Sequence, residues 1–153
     1  MTTISIRTAN LNDLETLLEF EQGVIKAERP MDSFLREGTL SYYNIPELIT
    51  AKNSHLIVAV ANKELVGSGY LKIEDSSHYH KNPKHGYIGF IFVKPAFRGQ
   101  RISNLILESL KKWGKEKDLK ELRLDVYSKN ADALKSYNRF GFTKGLVNMK
   151  IDI

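Results

Sequence analysis

The segment Leu56-Ile57-Val58-Ala59-Val60-Ala61 constrains the fold more than any other part of the chain. Six consecutive apolar residues are too few for a buried helix and suit a short strand. Asn62-Lys63 supplies a turn and Leu65 to Glu74 runs back, so the two runs predict a hairpin. On the N-terminal side, Ile4, Ile6 and Thr8 alternate with polar neighbours and predict a strand over 3–8. Asn10 reads as a helix N-cap with Asp13 three residues on. Leu11, Leu14, Leu17, Leu18 and Ile25 extend a helical stripe to about residue 28, where Arg29-Pro30 ends it. Pro46 opens a short helix over 47–52.

On the C-terminal side the connections change character. Residues 75–86 read as a loop, and Tyr87 to Val93 as a strand. Lys94 to Gln100, with Pro95 and Gly99, must turn. Ile102, Leu105, Ile106, Leu110 and Trp113 follow helical spacing. Leu122 to Tyr127 predicts a strand. Ala133, Leu134, Tyr137 and Phe140 share one face of a helix stopped by Gly141, and residues 142–152 close with a further strand. Hairpins in the first half and βαβ crossovers in the second give an α/β fold with a mixed, mostly antiparallel central sheet flanked by helices. No repeat or linker interrupts residues 1–153, so one domain is expected.

Composition narrows the chemistry. The 153 residues contain no Cys, which excludes disulfides, thiolate metal sites and a Cys nucleophile. No metal is expected. No leader and no membrane span are expected, and the expected compartment is cytoplasmic. Residues 1–75 hold 7 basic and 11 acidic residues, and residues 76–153 hold 16 and 7, giving −4 and +9 from the total of +5. Between Ser76 and Leu107 there is no carboxylate, but Lys81, Lys84, Lys94, Arg98 and Arg101 are present. Such a field attracts an anion. No helix-turn-helix or RNA-recognition signature accompanies it, so nucleic acid is not the expected ligand.

The cations concentrate where the strand ending at Val93 meets the helix starting near Arg101. A helix N-terminus offers unpaired N–H groups and partial positive charge, which suit phosphate oxygens. Gly99 removes a side chain where backbone approaches a ligand, and Arg98 and Arg101 add charge that does not titrate. Neither a Walker loop nor a G-x-G-x-x-G occurs.

The run Val93-Lys94-Pro95-Ala96-Phe97-Arg98-Gly99-Gln100-Arg101-Ile102-Ser103 resembles the acetyl-CoA loop of the GCN5-related N-acetyltransferases (GNAT). Asn130, Ala133, Tyr137, Gly141 and Phe142 are similar to that family's N-x-x-A-x-x-x-Y-x-x-x-G-F signature. Arg101 stands where the family pattern has Gly, and Ser103 where it has Gly or Ala. A helical backbone at 101 tolerates a side chain, whereas a left-handed one costs about 1 kcal/mol or more. The resemblance implies the GNAT-like acyl-CoA N-acyltransferase fold. It implies direct transfer of acetyl from acetyl-CoA to a primary amine: a small amine, a polyamine or a peptide amino group. The alternative is a catalytically silent CoA-binding module of the same fold.

The resemblance also distributes roles. The acetyl group and pantetheine arm would lie against the backbone of Ile91, Phe92 and Val93. The pyrophosphate would sit at Arg98 and on the N–H groups of Gly99, Gln100, Arg101, Ile102, Ser103 and Asn104. Tyr137 would protonate the departing thiolate, and Asn130 would bond the pantetheine or cap the following helix. For the base the order is Asp125, then Tyr87, then His85. Residues 20–45 and the loop 75–86 would build the acceptor pocket. Glu21, Glu28, Asp32 and Glu37 there favour a cationic acceptor. An exposed strand edge at 142–152 is expected to admit a homodimer.

Overall fold

In a computed structural model that describes residues 2–153, five strands form one sheet in the order β1-β2-β3-β4-β5. They are β1 Ile4–Thr8, β2 Ser54–Ala61, β3 Glu64–Asp75, β4 Lys84–Val93 and β5 Leu122–Leu124. The first four pair antiparallel and β5 lies parallel to β4. The helices are α1 Leu14–Glu28, α2 Ile45–Thr50, α3 Ile102–Glu116 and α4 Ala131–Phe140. The expected mixed, mostly antiparallel α/β architecture is the observed one.

The uninterrupted apolar run in β2 follows from burial on both faces. Ile57, Ala59 and Ala61 face α3 with Leu71, Ile88, Ile106 and Leu110, while Leu56 and Val58 face α1 and α2 with Leu17, Phe20 and Ile45. Asn62 and Lys63 both take positive φ, 51° and 67°, the tight turn whose twist matches a hairpin. Asn10 caps a 3₁₀ turn at Leu11–Asp13 through a capping box, and α1 follows directly. Arg7 grips Asp13 through two bonds of 2.8 and 2.9 Å, tying β1 to that turn. Helix α3 seats close on β3, since a Cβ on Gly69 would lie 2.6 Å from Ile106 Cγ2.

Two expectations need correction. Residues 84–86 belong to β4 rather than to a loop. Gly86 pairs with Leu122, and a Cβ there would meet Leu122 and Leu71 at 2.8 and 2.9 Å, so the glycine serves packing and not a turn. Residues 142–152 form no strand: they join no ladder, and Leu146, Met149 and Ile151 are almost wholly exposed. The apolar alternation is present, but β5 is only three residues long and makes no bond to it.

Candidate active site

β4 is irregular where the site forms. Ser68 pairs with Phe92 and Tyr70 with Gly89, so Phe90 and Ile91 together oppose Gly69. This is a β-bulge, with Phe90 at φ 56°. Its carbonyl is held by the buried Ser68 hydroxyl at 3.0 Å. Pairing between β4 and β5 stops at Ile88–Leu124. Residues 89–93 therefore have β3 on one side and a gap on the other, and Ile91, Phe92 and Val93 lie along it. Nothing in the side-chain pattern announces the bulge.

After β4, a 3₁₀ turn at Pro95–Phe97 leads to Arg98, whose Nε donates to Val93 O at 3.0 Å. Gly99 has φ 81°, a conformation that excludes side chains at little cost only for glycine, and the space beside its Cα is open. Arg101 caps α3 in the left-handed region, φ 61° and ψ 25°, so the strained alternative is the one the structure adopts. No side chain caps this helix. Among the described residues no acceptor takes the N–H groups of Gly99, Gln100, Arg101, Ile102, Ser103 or Asn104. Six successive free donors with Arg98 and Arg101 beside them form a cradle for phosphate oxygens, and its chemistry fits the diphosphate of CoA.

Asn130 caps α4: its Oδ1 accepts from Ala133 N at 3.1 Å. Tyr137, about two turns along, packs edge-on to Phe142 at 6.0 Å. Burial, and then the nearby Glu28 carboxylate, push its hydroxyl up to about 12. It therefore holds its proton firmly at neutral pH.

Two of the residues ranked as the base are partners. Tyr87 Oη donates to Asp125 Oδ2 at 3.0 Å. Burial, and then the charge of Asp125, raise the Tyr87 hydroxyl well above its ordinary range, so at neutral pH Tyr87 keeps the proton of this bond. His85 is not a solvated loop residue. It is 5% exposed, with Nδ1 2.8 Å from Ser76 Oγ and Nε2 3.3 Å from Glu74.

Beside Asp125 opens a cleft of about 200 Å³ whose lining includes Tyr42, Tyr43, Tyr70, Tyr87 and Glu74. The segment before α2 contributes Tyr42, Tyr43 and Asn44 to this lining. The loop after β3 does not, and β3 itself takes its place through Tyr70, Lys72 and Glu74. Tyr42 Oη is buried without a partner, close to the half-buried Glu28, whose carboxyl is raised chiefly by burial. Glu21 plays no part in the cleft: it is 1% exposed, and its Oε2 accepts from Tyr42 N and Tyr43 N at 2.9 and 2.8 Å, shaping the loop that presents both rings. Asp32 accepts from Tyr127 Oη at 2.7 Å, and that bond is the main cause holding its carboxyl below the usual range. A cleft of similar size, about 220 Å³, lies at the other end of α3 among Lys111, Lys115 and Lys120, a helix length from the cradle.

The sequence profile of the acetyltransferase (GNAT) family matches residues 13–142. The chain belongs to that family. A Bacillus subtilis (strain 168) protein named provisionally as a ribosomal protein bS18-alanine N-acetyltransferase is 26% identical over 145 residues, 94% of this chain and 83% of that one. Among solved structures, a point mutant of the BH1408 protein of Bacillus halodurans superposes with a TM-score of 0.87 at 22% identity, covering 97% of this chain and 99% of that one. An acetyltransferase of Clostridium acetobutylicum, solved with acetyl-CoA, gives 0.71 at 17% identity over 98% and 96%. Aminoglycoside N-acetyltransferase AAC(6')-Iy in complex with CoA gives 0.72 at 19% over 100% and 96%. The GNAT fold and an acetyl-CoA-dependent acyltransferase activity follow for this chain from family membership together with the cradle at 99–104. No helix is long and apolar enough to cross a membrane among the described residues, and no group of side chains there could hold a metal ion.

Proposed function

We propose that the protein is an N-acetyltransferase that moves acetyl directly from acetyl-CoA to a primary amine entering the tyrosine-lined cleft. The observation that carries this reading is the meeting of two features at one gap. The phosphate cradle at 99–104 follows the C-terminal end of β4, and the Tyr87–Asp125 pair stands where β4 and β5 cease to pair. Acetyl-CoA supplies an activated acyl group as a thioester. The backbone beside the bulge, at Ile91, Phe92 and Val93, holds the acyl arm, and the free N–H groups hold the diphosphate. Asp125, oriented by Tyr87, takes a proton from the acceptor ammonium so that the amine can attack. Tyr137 gives its proton to the departing thiolate. The carboxylates Glu47 and Glu74 of the cleft lining, with Glu28 close to Tyr42, favour an acceptor that arrives as a cation.

Release of free CoA from a panel of amines tests the reading. Tyr137→Phe keeps the ring and its packing, so acetyl-CoA affinity should hold while kcat falls about 10²-fold, the low end for general acids because a thiolate leaves fairly readily. Asp125→Asn should remove the acidic limb of the pH–rate profile. Binding of acetyl-CoA with no turnover on any amine would instead identify a silent CoA-binding module. Turnover by Tyr137→Phe at the parental rate would make Tyr137 a packing residue only.

A further inference from the structure

The tyrosine-lined cleft holds hydrogen-bond donors that the protein itself leaves unused. Tyr70, Lys72 and Glu74 alternate onto the cleft face of β3, opposite Gly89, Tyr87 and His85 of β4. The hydroxyls of Tyr87 and Tyr127 donate to carboxylates, whereas those of Tyr43 and Tyr70 donate to nothing among the described residues. Burial is the main cause that raises both, Tyr70 to about 12, so both keep their protons at neutral pH. Tyr70 reaches the start of the bulge because Gly89 has no side chain: a Cβ there would stand 2.5 Å from Tyr70 Oη.

The charged groups of the cleft have protein partners with one exception. Glu47 accepts from Asn44 Nδ2 at 3.1 Å, Glu74 stands 3.3 Å from His85 Nε2, and Asp125 accepts from Tyr87 at 3.0 Å. Lys72 is half-buried and forms no ion pair among the described residues. An ammonium that has lost part of its hydration gains from an anion beside it. Lys72 lies opposite Tyr87, whose hydroxyl touches Asp125, so the free cation and the base flank one ring. Strands β3 and β5 are two strand spacings apart, about 10 Å, and the lysine stem closes part of that distance.

One ammonium with two neutral hydroxyls matches a carboxylate, which spreads one charge over two accepting oxygens. A phosphate would bring more than one negative charge close to Glu47 and Glu74. The cleft, about 200 Å³, is smaller than the roughly 300–1,000 Å³ of sites for drug-sized ligands and suits a small molecule. We propose that Lys72, with the hydroxyls of Tyr43 and Tyr70, forms a carboxylate subsite, and that the acceptor is a free amino acid whose ammonium goes to Asp125 and whose carboxylate goes to Lys72. The subsite names the acceptor class and rests on the acyltransfer reading for the fate of the amine. In that step the nitrogen–carbon bond forms and the carbon–sulfur bond breaks. The ammonium gives up two protons, one through Asp125 to solvent and one that restores Tyr137 after it protonates the sulfur. The products are an N-acetyl amino acid and CoA. An amine of the same size without the carboxylate would leave Lys72 unpaired in a filled cleft, and that is the source of selectivity.

The test compares amino acids, α and ω, each with its own primary amide, which keeps the amine and the size but removes the charge. From free CoA release, kcat/KM should be about ten- to a hundredfold higher for the acid. Amine basicity cannot produce that preference, because the amide has the more easily deprotonated amine. Lys72→Met should bring the acid-to-amide ratio to about one, chiefly through the KM of the acid. Lys72→Arg should keep the ratio well above one, and circular dichroism checks that both variants fold. Titration of the preferred amino acid into protein saturated with CoA reads the subsite without turnover. Affinity lost in Lys72→Met, with no CoA released from acetyl-CoA by any amine, would support the subsite and remove the acyltransfer reading. CoA release at equal kcat/KM for acid and amide would overturn the subsite and leave acyltransfer standing. An acid preference unchanged in Lys72→Met would overturn the role of Lys72. Faster turnover of an aminoalkyl phosphate than of the matching amino acid would overturn the carboxylate assignment. Neither binding nor turnover of any amino acid would overturn the proposal as a whole.

Discussion

Arg101→Gly should raise the stability of the free protein and lower its affinity for CoA. Arg101 occupies the left-handed region at φ 61°, ψ 25°. That conformation costs a residue with a side chain about 1–2 kcal/mol. Glycine removes the strain but enlarges the unfolded ensemble by about 0.4–1 kcal/mol. The difference leaves a net gain of about 0.5–1 kcal/mol, or roughly 1–4 °C in Tm for a chain of this length. The guanidinium makes no hydrogen bond or ion pair within the described residues, so nothing on the protein side offsets that gain. Binding responds in the opposite direction. Arg101 stands at the mouth of six free N–H groups, where a charge-assisted bond to a phosphate oxygen is worth about 1.5 kcal/mol at the low end expected for an exposed side chain. Its loss should weaken CoA about tenfold. Calorimetric unfolding of the free protein and titration with CoA give the two signs separately. An unchanged or lower Tm would show that the positive φ costs nothing, and tighter CoA binding by the glycine variant would show that Arg101 obstructs the cradle it was argued to complete.

Two other outcomes follow from the scaffold. Gly69→Ala should destabilise by about 1–3 kcal/mol, because its Cβ would stand 2.6 Å from Ile106 Cγ2 and 2.8 Å from Ile91 Cδ1, and chemical denaturation would measure it. The Arg7 bond holds the Asp13 carboxyl below its ordinary range, so its contribution is complete above the ordinary carboxylate pKa of about 4 and fades as pH falls through the depressed native value. Asp13→Ala should cost about 1–2 kcal/mol at pH 7 through the lost cap and ion pair, and its Tm should fall less steeply than the parent's between about pH 5 and pH 2.

The legible parts of this fold are those written in side chains. The β2–β3 hairpin shows in its apolar run and Asn62-Lys63 turn, and the capping box shows in Asn10 and Asp13. The cofactor loop shows in its cations and Gly99. What escaped was backbone or pairing. The bulge at Phe90 consists of a dihedral angle and a register shift, and phenylalanine is an unremarkable strand residue. Glu21 looked like a cleft carboxylate because composition cannot tell a group that binds ligand from one that binds two backbone amides. Residues 142–152 have the alternation of a strand, but a strand also needs an edge to meet, and periodicity does not say whose.

That last point connects the sheet edge to the chemistry. β4 and β5 pair at three positions, and where that pairing ends a bond from Tyr87 to Asp125 ties the two segments. The divergence opens the gap in which an acyl arm can lie. It also leaves residues 125–127 without a neighbour on the β4 side, exactly where the proposed base sits. One break in regular pairing would therefore account for the slot that admits a thioester arm.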